Sequence, residues 1–277
     1  MASKYLVVGS DPEVFLKDSS GNTVSAIGII PGHKRDPFKT TNGYVQPDNI
    51  SAEFNSKPAT SKVDFIKNHK LILKDLEDII KPLDLSVDIR PSVIAKRSLL
   101  EHPDARKAGC DPDMNAWTMI PNRKPVLVGG LRAAGGHLHI SFDQADCEGE
   151  EGIANRRVFI LCCDLILGVP SVILDEDKTR KKLYGNAGSC RFKFKEDYDP
   201  YNGAEYRTLS NFWLKSEELM GSVFESVERV YNNLSELTEV CNKEGNNIIN
   251  IINTGNSDLA KSFIKKYQSL YEGLVYA

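Results

Sequence analysis

Three short strand-like segments of this chain carry ionisable residues two positions apart: Asp11-Pro-Glu13, His137-Leu-His139 and Glu205-Tyr-Arg207. Side chains alternate faces along a strand, so positions i and i+2 point the same way. Each segment therefore sets two polar groups on one face, beside flanks that read as buried (Val14-Phe15-Leu16, Leu138 and Ile140). An ordinary half-buried strand puts apolar residues on one face and simple solvent-facing polar residues on the other. Carboxylates, imidazoles and a guanidinium gathered on one face instead predict the floor of a metal and phosphate site.

The rest of the chain narrows the class. With 277 residues it can bury a sizeable core as a single domain. Its 41% hydrophobic and 26% charged content is ordinary for a soluble globular protein. A formal charge of −3 argues against nucleic-acid binding by bulk electrostatics. The N-terminal Met1-Ala-Ser-Lys-Tyr5 lacks a basic segment followed by an apolar one, so no signal peptide is expected. The longest apolar run, Val158 to Leu174, is broken by Asp164, Gly168, Pro170 and Ser171 and reads as a buried core helix rather than a membrane span. The six cysteines show no CxxC or zinc-finger spacing. Reduced thiols in a cytoplasm are the expectation.

Residues 4–30 read as two strands turned at Asp18-Ser-Ser-Gly21-Asn22, followed by a loop over 31–37 and a strand over 44–55. Ser61-Lys-Val-Asp64 reads as a capping box opening a helix to about Ile80, stopped by Pro82. A strand pattern over 83–95, a loop over 109–113 and a strand over 135–142 come next. The reading continues with a buried helix over about 153–167, strands over 188–195 and 203–209, and helices over 215–243 and 257–272. This order predicts one α+β domain over 1–277, with an antiparallel or mixed sheet and helices covering one face.

Each candidate group has an ordinary explanation when taken alone. Asp11 and Glu13 could mark a turn or sheet edge, and Glu53 a solvent-facing edge glutamate. His137 and His139 follow Gly135-Gly136, where absent side chains allow a ligand or another backbone to come close. Two histidines alone would point to zinc, but with several carboxylates and no ligand cysteines, Mg²⁺ or Mn²⁺ fits better. Arg191, Lys193 and Lys195 form a one-face cationic row, with Phe192 and Phe194 facing the core. Such a row is ordinarily a solvated face. Beside carboxylates it either forms salt bridges or serves the phosphates of a metal-bound nucleotide. Neither GxxxxGK[ST] nor GxGxxG occurs, so a P-loop or Rossmann turn is excluded.

In order along the chain, these groups sit in Gly9-Ser-Asp11-Pro-Glu13-Val-Phe-Leu16, Gln46-Pro-Asp-Asn49-Ile-Ser-Ala-Glu53-Phe-Asn55 and Gly109-Cys-Asp-Pro-Asp113-Met-Asn115-Ala-Trp117. They continue in Leu131-Arg132-Ala-Ala-Gly135-Gly-His137-Leu-His139-Ile-Ser141, Tyr184-Gly-Asn-Ala-Gly188-Ser-Cys-Arg191-Phe-Lys193 and Gly203-Ala-Glu205-Tyr-Arg207-Thr-Leu-Ser-Asn211-Phe-Trp213. The ordered set resembles the carboxylate–amine ligase superfamily that contains glutamine synthetase and glutamate–cysteine ligase. It is most similar to the phage-encoded branch called carboxylate–amine ligase type 2.

That resemblance implies a curved, mainly antiparallel sheet of the glutamine synthetase catalytic-domain type, with helices on its outer face. The motif-bearing sheet would span 4–213 and the C-terminal helices 215–272. By resemblance, Asp11, Glu13, Glu53, His137 and Glu205 bind divalent metal (Mg²⁺ or Mn²⁺) bridging the phosphates of ATP. Arg191 and Arg207, with Glu205, would act on the transferring phosphate. Lys34, Arg132, His139 and Lys193 would contact nucleotide phosphate or substrate carboxylate. One departure is the stretch between Lys193 and Gly203, longer and more acidic than a tight hairpin requires.

The implied chemistry is ATP-dependent amide formation through an acyl phosphate. Its partners would be a small-molecule or peptide carboxylate and an amine, in the cytoplasm of an infected bacterium, with a homo-oligomer compatible. Three other readings share these residue types: a phosphotransferase of guanidino-kinase-like architecture, a non-catalytic descendant binding a nucleotide or host protein, and a metal-dependent hydrolase working without ATP.

Overall fold

The computed structural model describes residues 5–107, 113–127, 129–147, 149–194 and 202–275. Strands are numbered in chain order. Among the described residues, six strands form one sheet in the spatial order β1 (Leu6–Ser10), β13 (Leu138–Phe142), β15 (Gly203–Tyr206), β14 (Ser189–Lys193), β10 (Met114–Asn115) and β11 (Ile120–Pro121). A second sheet runs β3 (Thr23–Val24), β2 (Glu13–Lys17), β7 (Ser51–Ser56), β6 (Gly43–Asp48), β5 (Asp36–Lys39) and β4 (Gly32–His33), with β8 (Ser86–Asp88) also on β2. The short β9 (Ser92–Ile94) and β12 (Leu131–Ala133) pair with each other. The pairings within these sheets are antiparallel.

One bent segment joins the two sheets. β1 pairs with β13, the chain turns at Asp11-Pro12, and β2 pairs with β7. Proline has no N–H for a ladder and sits where the strand leaves one sheet for the other. The Pro12 carbonyl accepts from Phe54 N–H at 3.2 Å, and Glu13 N–H donates to the Gly135 carbonyl at 2.9 Å. His69 locks the seam from behind: its Nδ1 lies 2.7 Å from the Phe65 carbonyl and its Nε2 2.5 Å from the Ser10 hydroxyl.

Helices cover the face opposite the ionisable residues. Helix α1 (Lys62–Ile80) buries Phe65, His69, Ile72, Leu76 and Ile80, a stripe of helical period, and its Ser61 cap accepts from Asp64 N–H at 3.1 Å. Helix α2 (Gly149–Cys163) passes through a π-turn at Asp164–Gly168 into α3 (Val169–Leu174). In a regular helix the Pro170 ring would clash with a carbonyl one turn back. The wider turn, closed by Val169 N–H on the Asp164 carbonyl, absorbs it. The continuous helix Gly149–Leu174 has the length and apolarity of a membrane span, but most of its apolar window is buried inside the protein. Helices α4 (Glu217–Asn232), α5 (Leu234–Thr254) and α6 (Ser257–Lys266) complete the layer. One hydrophobic cluster runs through both sheets and the helices, with Phe142 stacked on Phe159 at 4.3 Å.

The α+β expectation, mainly antiparallel with helices on one face, holds. Several boundaries do not. The strand expected over 44–55 is the hairpin β6–β7, folded back at Asn49 with φ 56°. The loop expected over 31–37 contains the β4–β5 pairing. The 83–95 strand is split into β8 and β9 by Arg90-Pro91. The buried helix is longer than 153–167 because the π-turn tolerates its proline. The strand expected over 135–142 begins only at Leu138, and that expected over 203–209 ends at Tyr206. The expected C-terminal pair is three helices, broken at Asn233, whose side chain donates to the Arg229 carbonyl at 2.9 Å. Helix α5 continues through Gly245 because the Trp117 ring packs where a side chain there would lie. The stretch 109–112, Lys195 and most of the acidic segment before Gly203 lie outside the described residues.

Candidate functional site

Register assembles the site. His139 lies opposite Gly9 on one side and Glu205 on the other, and Glu205 in turn faces Arg191. The alternate positions Leu138, Ile140, Ala204 and Tyr206 are buried toward the helices. In the second sheet Glu13 lies directly opposite Glu53, and Glu53 opposite Gln46. Asp48, two residues beyond Gln46 on the same face, completes a row of acids. Gly135 and Gly136 permit the close packing: a side chain on Gly135 would overlap the His137 ring, and one on Gly136 the Ser210 carbonyl.

The carboxylates fall into two groups of opposite electrostatic character. Asp11 and Glu205 are surrounded by cationic groups. Glu205 forms an ion pair with Arg207 and lies 3.6 Å from Lys193 and 3.9 Å from Arg191. Asp11 lies 3.2 Å from His139 Nε2 and 3.4 Å from His137 Nδ1. Burial alone would raise both carboxyls. The Arg207 guanidinium and the histidines outweigh it and bring Glu205 down to about 2. At Asp11 burial is likewise outweighed, chiefly by His139, and the carboxyl sits well below its usual range. Asp11 raises the His139 ring above its ordinary value against the effect of burial, while burial and Arg207 lower His137.

Glu13, Asp48 and Glu53 face one another instead, with one oxygen of each lying within 4.8 Å of the others. Burial and the neighbouring Asp48 push Glu13 up to about 8, against a 2.9 Å hydrogen bond from Gly135 N–H. Burial and the charges of Asp11, Asp48 and Glu13 push Glu53 well up. Burial pushes Asp48 up, with Lys34 opposing. Gln46 donates to Glu53 at 2.8 Å. Three oxygen donors disfavouring their own ionisation are the donor set a hard divalent cation satisfies, so the chemistry of these residues fits Mg²⁺ or Mn²⁺. Asp11, His139 and Glu205 also bring ligand atoms within 4.8 Å, but the protein already supplies the counter-charge there.

Two cavities flank the acids. A cleft of about 770 Å³, mostly apolar in lining, includes Lys34, Tyr44, Lys57 and Pro58 and reaches Glu53 and His139. A narrow cavity of about 50 Å³ lies toward Glu13, Asp48 and His137, with Arg132, Arg180 and Arg207 in its wall.

The structure thus gathers Asp11, Glu13, Glu53, His137, His139, Arg191, Lys193, Glu205 and Arg207 at one place. Lys34 lies on the β4–β5 turn at the cleft. Of the two metal-type groups, the one containing a histidine holds His139; His137 Nδ1 lies 3.4 Å from Asp11, 3.7 Å from Glu205 and 3.2 Å from Arg207. Arg132 differs from expectation more sharply. Its guanidinium bonds the carbonyls of Leu131 and Ala105 and the Asn49 side chain at 2.7–3.1 Å, which holds the surrounding loops together. Phe192 packs on the core, and Phe194 lies under the Arg156 guanidinium at 4.3 Å.

Sequence reading missed Asp48, Asp113 and Arg180. Gln46 and Asp48 share the i, i+2 spacing that marked the other pairs, and an Asp-Asn turn signal follows. Asp113 lies 2.6 Å from Arg207 Nε. Arg180, in a short helical turn just before the Tyr184–Lys193 segment, carried no signal of its own.

No family model matches the sequence, and no curated protein matches it. Among solved structures it is similar to apo GmaS, with a TM-score of 0.45 and 12% identity over 96% of this chain and 70% of that one. A novel glutamine synthase homolog gives 0.45 and 10%, covering 99% of this chain and 68% of the other. A bifunctional glutathione synthetase from Pasteurella multocida gives 0.40 and 10%, over 96% and 49%.

Proposed function

We propose that the protein is an ATP-dependent carboxylate–amine ligase using Mg²⁺ or Mn²⁺. The observation that carries the reading is the meeting, where the two sheets join, of an acid cluster whose mutual repulsion and burial outweigh Lys34 and Arg180 with a cationic row around Glu205 and Asp11. A metal-bound triphosphate suits both: cations for Glu13, Asp48 and Glu53, and phosphate oxygens as further acceptors for the arginines and lysine already grouped around Glu205. The cleft is large enough for a nucleotide, and its mostly apolar lining would suit the base. Lys34 and His139 in its lining, with Lys193 beside Glu205, would take phosphate oxygens. When bound, the divalent cation supplies charge neutralisation on the phosphate oxygens.

The chain's own residues then orient and exclude. Glu205 and Asp113 fix the Arg207 guanidinium, and Asp11 keeps His139 in place. Arg207 and Arg191 face the phosphate being transferred. A carboxylate oxygen of the acid substrate attacks the γ-phosphorus and ADP leaves, giving an acyl phosphate. The amine nitrogen attacks the acyl carbon, the C–O bond to phosphate breaks, and the proton shed by nitrogen departs with the phosphate.

The test is a phosphate-release screen over pooled acids and amines with mass-spectrometric detection of the adduct. Stoichiometric phosphate only when acid and amine are both present supports the ligase. A stable phosphorylated product without amine would make it a phosphotransferase. Failure to bind Mg-ATP in a calorimetric titration would remove both readings and favour a hydrolase.

A further inference from the structure

Behind the sheet, on the face turned away from the site, one carboxylate bonds to each segment that carries Asp113, Arg191 and Arg207. Asp164 opens the π-turn Asp164–Gly168 of the long buried helix and is fully buried. Its Oδ2 accepts from Trp117 Nε1 at 2.7 Å and from Gly188 N–H at 2.5 Å. Its Oδ1 accepts from the Tyr206 hydroxyl at 2.8 Å, and the Thr208 hydroxyl lies 3.2 Å away, shared with the Asn186 carbonyl at 3.1 Å. Glycines make room for these bonds. A side chain on Gly168 would meet the Tyr206 hydroxyl, and one on Gly188, at φ 76°, the Trp117 ring.

Each donor is a short step along the chain from a group in the site. Tyr206 and Thr208 alternate with Glu205 and Arg207. Gly188 leads into β14, which carries Arg191, and the Arg207 N–H donates to the Ser189 carbonyl at 2.9 Å. Trp117 follows β10, and Asp113, just before β10, lies 2.6 Å from Arg207 Nε. The hydrogen bonds on Asp164 all come from neutral donors, and burial raises its carboxyl to about 6 against them. Its charge therefore costs stability at neutral pH rather than adding to it. What the charge supplies is direction: it orients N–H and O–H donors from three segments at once, where apolar packing would hold them without fixing their register.

We infer that Asp164 is a positioning residue for phosphate transfer: by bonding Trp117, Gly188, Tyr206 and Thr208 from behind, it sets where Asp113, Arg191 and Arg207 stand in front. The inference rests on the ligase reading for the use made of Arg191 and Arg207. Asp164 itself touches no substrate. None of the four residues it bonds lines the cleft assigned to the nucleotide, so its loss bears on the transferring phosphate and not on the rest of the nucleotide.

The experiment titrates the full chain and its Asp164→Asn, Tyr206→Phe and Thr208→Val variants with Mg-ADP and with Mg-ATP, with no acid or amine present. In Asp164→Asn, Mg-ADP affinity should stay within about twofold of wild type while Mg-ATP binding weakens about 10-fold or more. Tyr206→Phe and Thr208→Val each remove one hydroxyl and should shift the same ratio by a smaller factor, so the test survives if Asp164→Asn does not fold. A merely structural role would lower the urea midpoint and leave the ratio of the two affinities at its wild-type value. That result, or equal loss of both ligands, overturns the inference. Amide hydrogen exchange reads the same positioning without nucleotide. The Arg207 amide should exchange about 10-fold faster in Asp164→Asn, with the β1 and β13 amides unchanged. Uniform acceleration, or none, overturns the inference. A wild-type chain that binds no Mg-ATP, or binds it no better than Mg-ADP, counts against the ligase reading instead, and the exchange result alone then decides the positioning.

Discussion

Two carboxylate groups on adjoining sheets of this protein share a sequence style and differ in charge balance. Asp11 and Glu205 are held by His137, His139 and Arg207 and are brought below the ordinary carboxylate range. Glu13, Asp48 and Glu53 face each other and are pushed above it. Both groups are largely removed from water, so desolvation acts the same way in each. What differs is whether the fold delivers a cation. A buried acid that the protein itself pairs serves to position its partner, whereas acids arranged against one another are a standing demand for an external cation.

The largest contrast should come from neutralising one acid in each group. Glu205→Gln leaves the buried Arg207 with Asp113 as its remaining carboxylate, and stability should drop by about 3 kcal/mol in urea unfolding, with ligase turnover abolished. A loss below ~1 kcal/mol would mean that the fold does not depend on this pair. Next comes the seam joining the groups. His69 is fully buried, and desolvation lowers its pKa to about 4 against an ordinary 6.5. Its neutral form belongs to the folded state, so the unfolded chain binds the extra proton. Stability should therefore be full above pH 6.5 and fall by about 3 kcal/mol as the pH drops to 4. His69→Gln should flatten that part of the pH–stability curve, and an unchanged slope would show that other groups carry it.

Cation binding tests the demand directly. Mg²⁺ at about 100 times its dissociation constant should stabilise the wild-type protein by about 2.7 kcal/mol relative to EDTA, read as a rise in thermal midpoint. The rise should vanish in the Glu13→Gln, Glu53→Gln double variant and persist in His137→Ala, because His137 is already engaged with Arg207 and Asp11. The smallest effect has the opposite sign to the first. Glu53→Gln in metal-free protein removes the cost of keeping protonated in the fold a carboxyl that ionises freely in the unfolded chain, and should raise stability at neutral pH by roughly 1 kcal/mol. Destabilisation there would erase the distinction between the two groups.

Legibility from sequence followed how local the determinant was. The capping box at Ser61, the stripe from Phe65 to Ile80 and the alternation around His139 and Glu205 depend on neighbours within a few residues, and all appear in the structure. The hairpin at Asn49 was missed because its strands read as one continuous pattern, and with it went the acid Asp48. The Gly149–Leu174 helix was shortened because a proline normally ends a helix, whereas a π-turn supported by surrounding packing allows it to continue. Arg132 looked like a substrate contact by type and position. Only the fold shows that carbonyls of Ala105 and Leu131 occupy it.

By itself the sequence determined which residues could share a face, since a strand's period of two is fixed by backbone geometry. Of the six paired groups, Glu13, His139 and Glu205 fall inside strands, whereas Asp11, His137 and Arg207 sit just beyond a strand end and the bend at Pro12 puts Asp11 and Glu13 in different groups. The tertiary structure alone decided how charge is apportioned among them. Coulombic interaction and desolvation depend on distances across strands far apart in the chain, such as Glu13 to Glu53, Asp11 to His139 and Arg207 to Asp113.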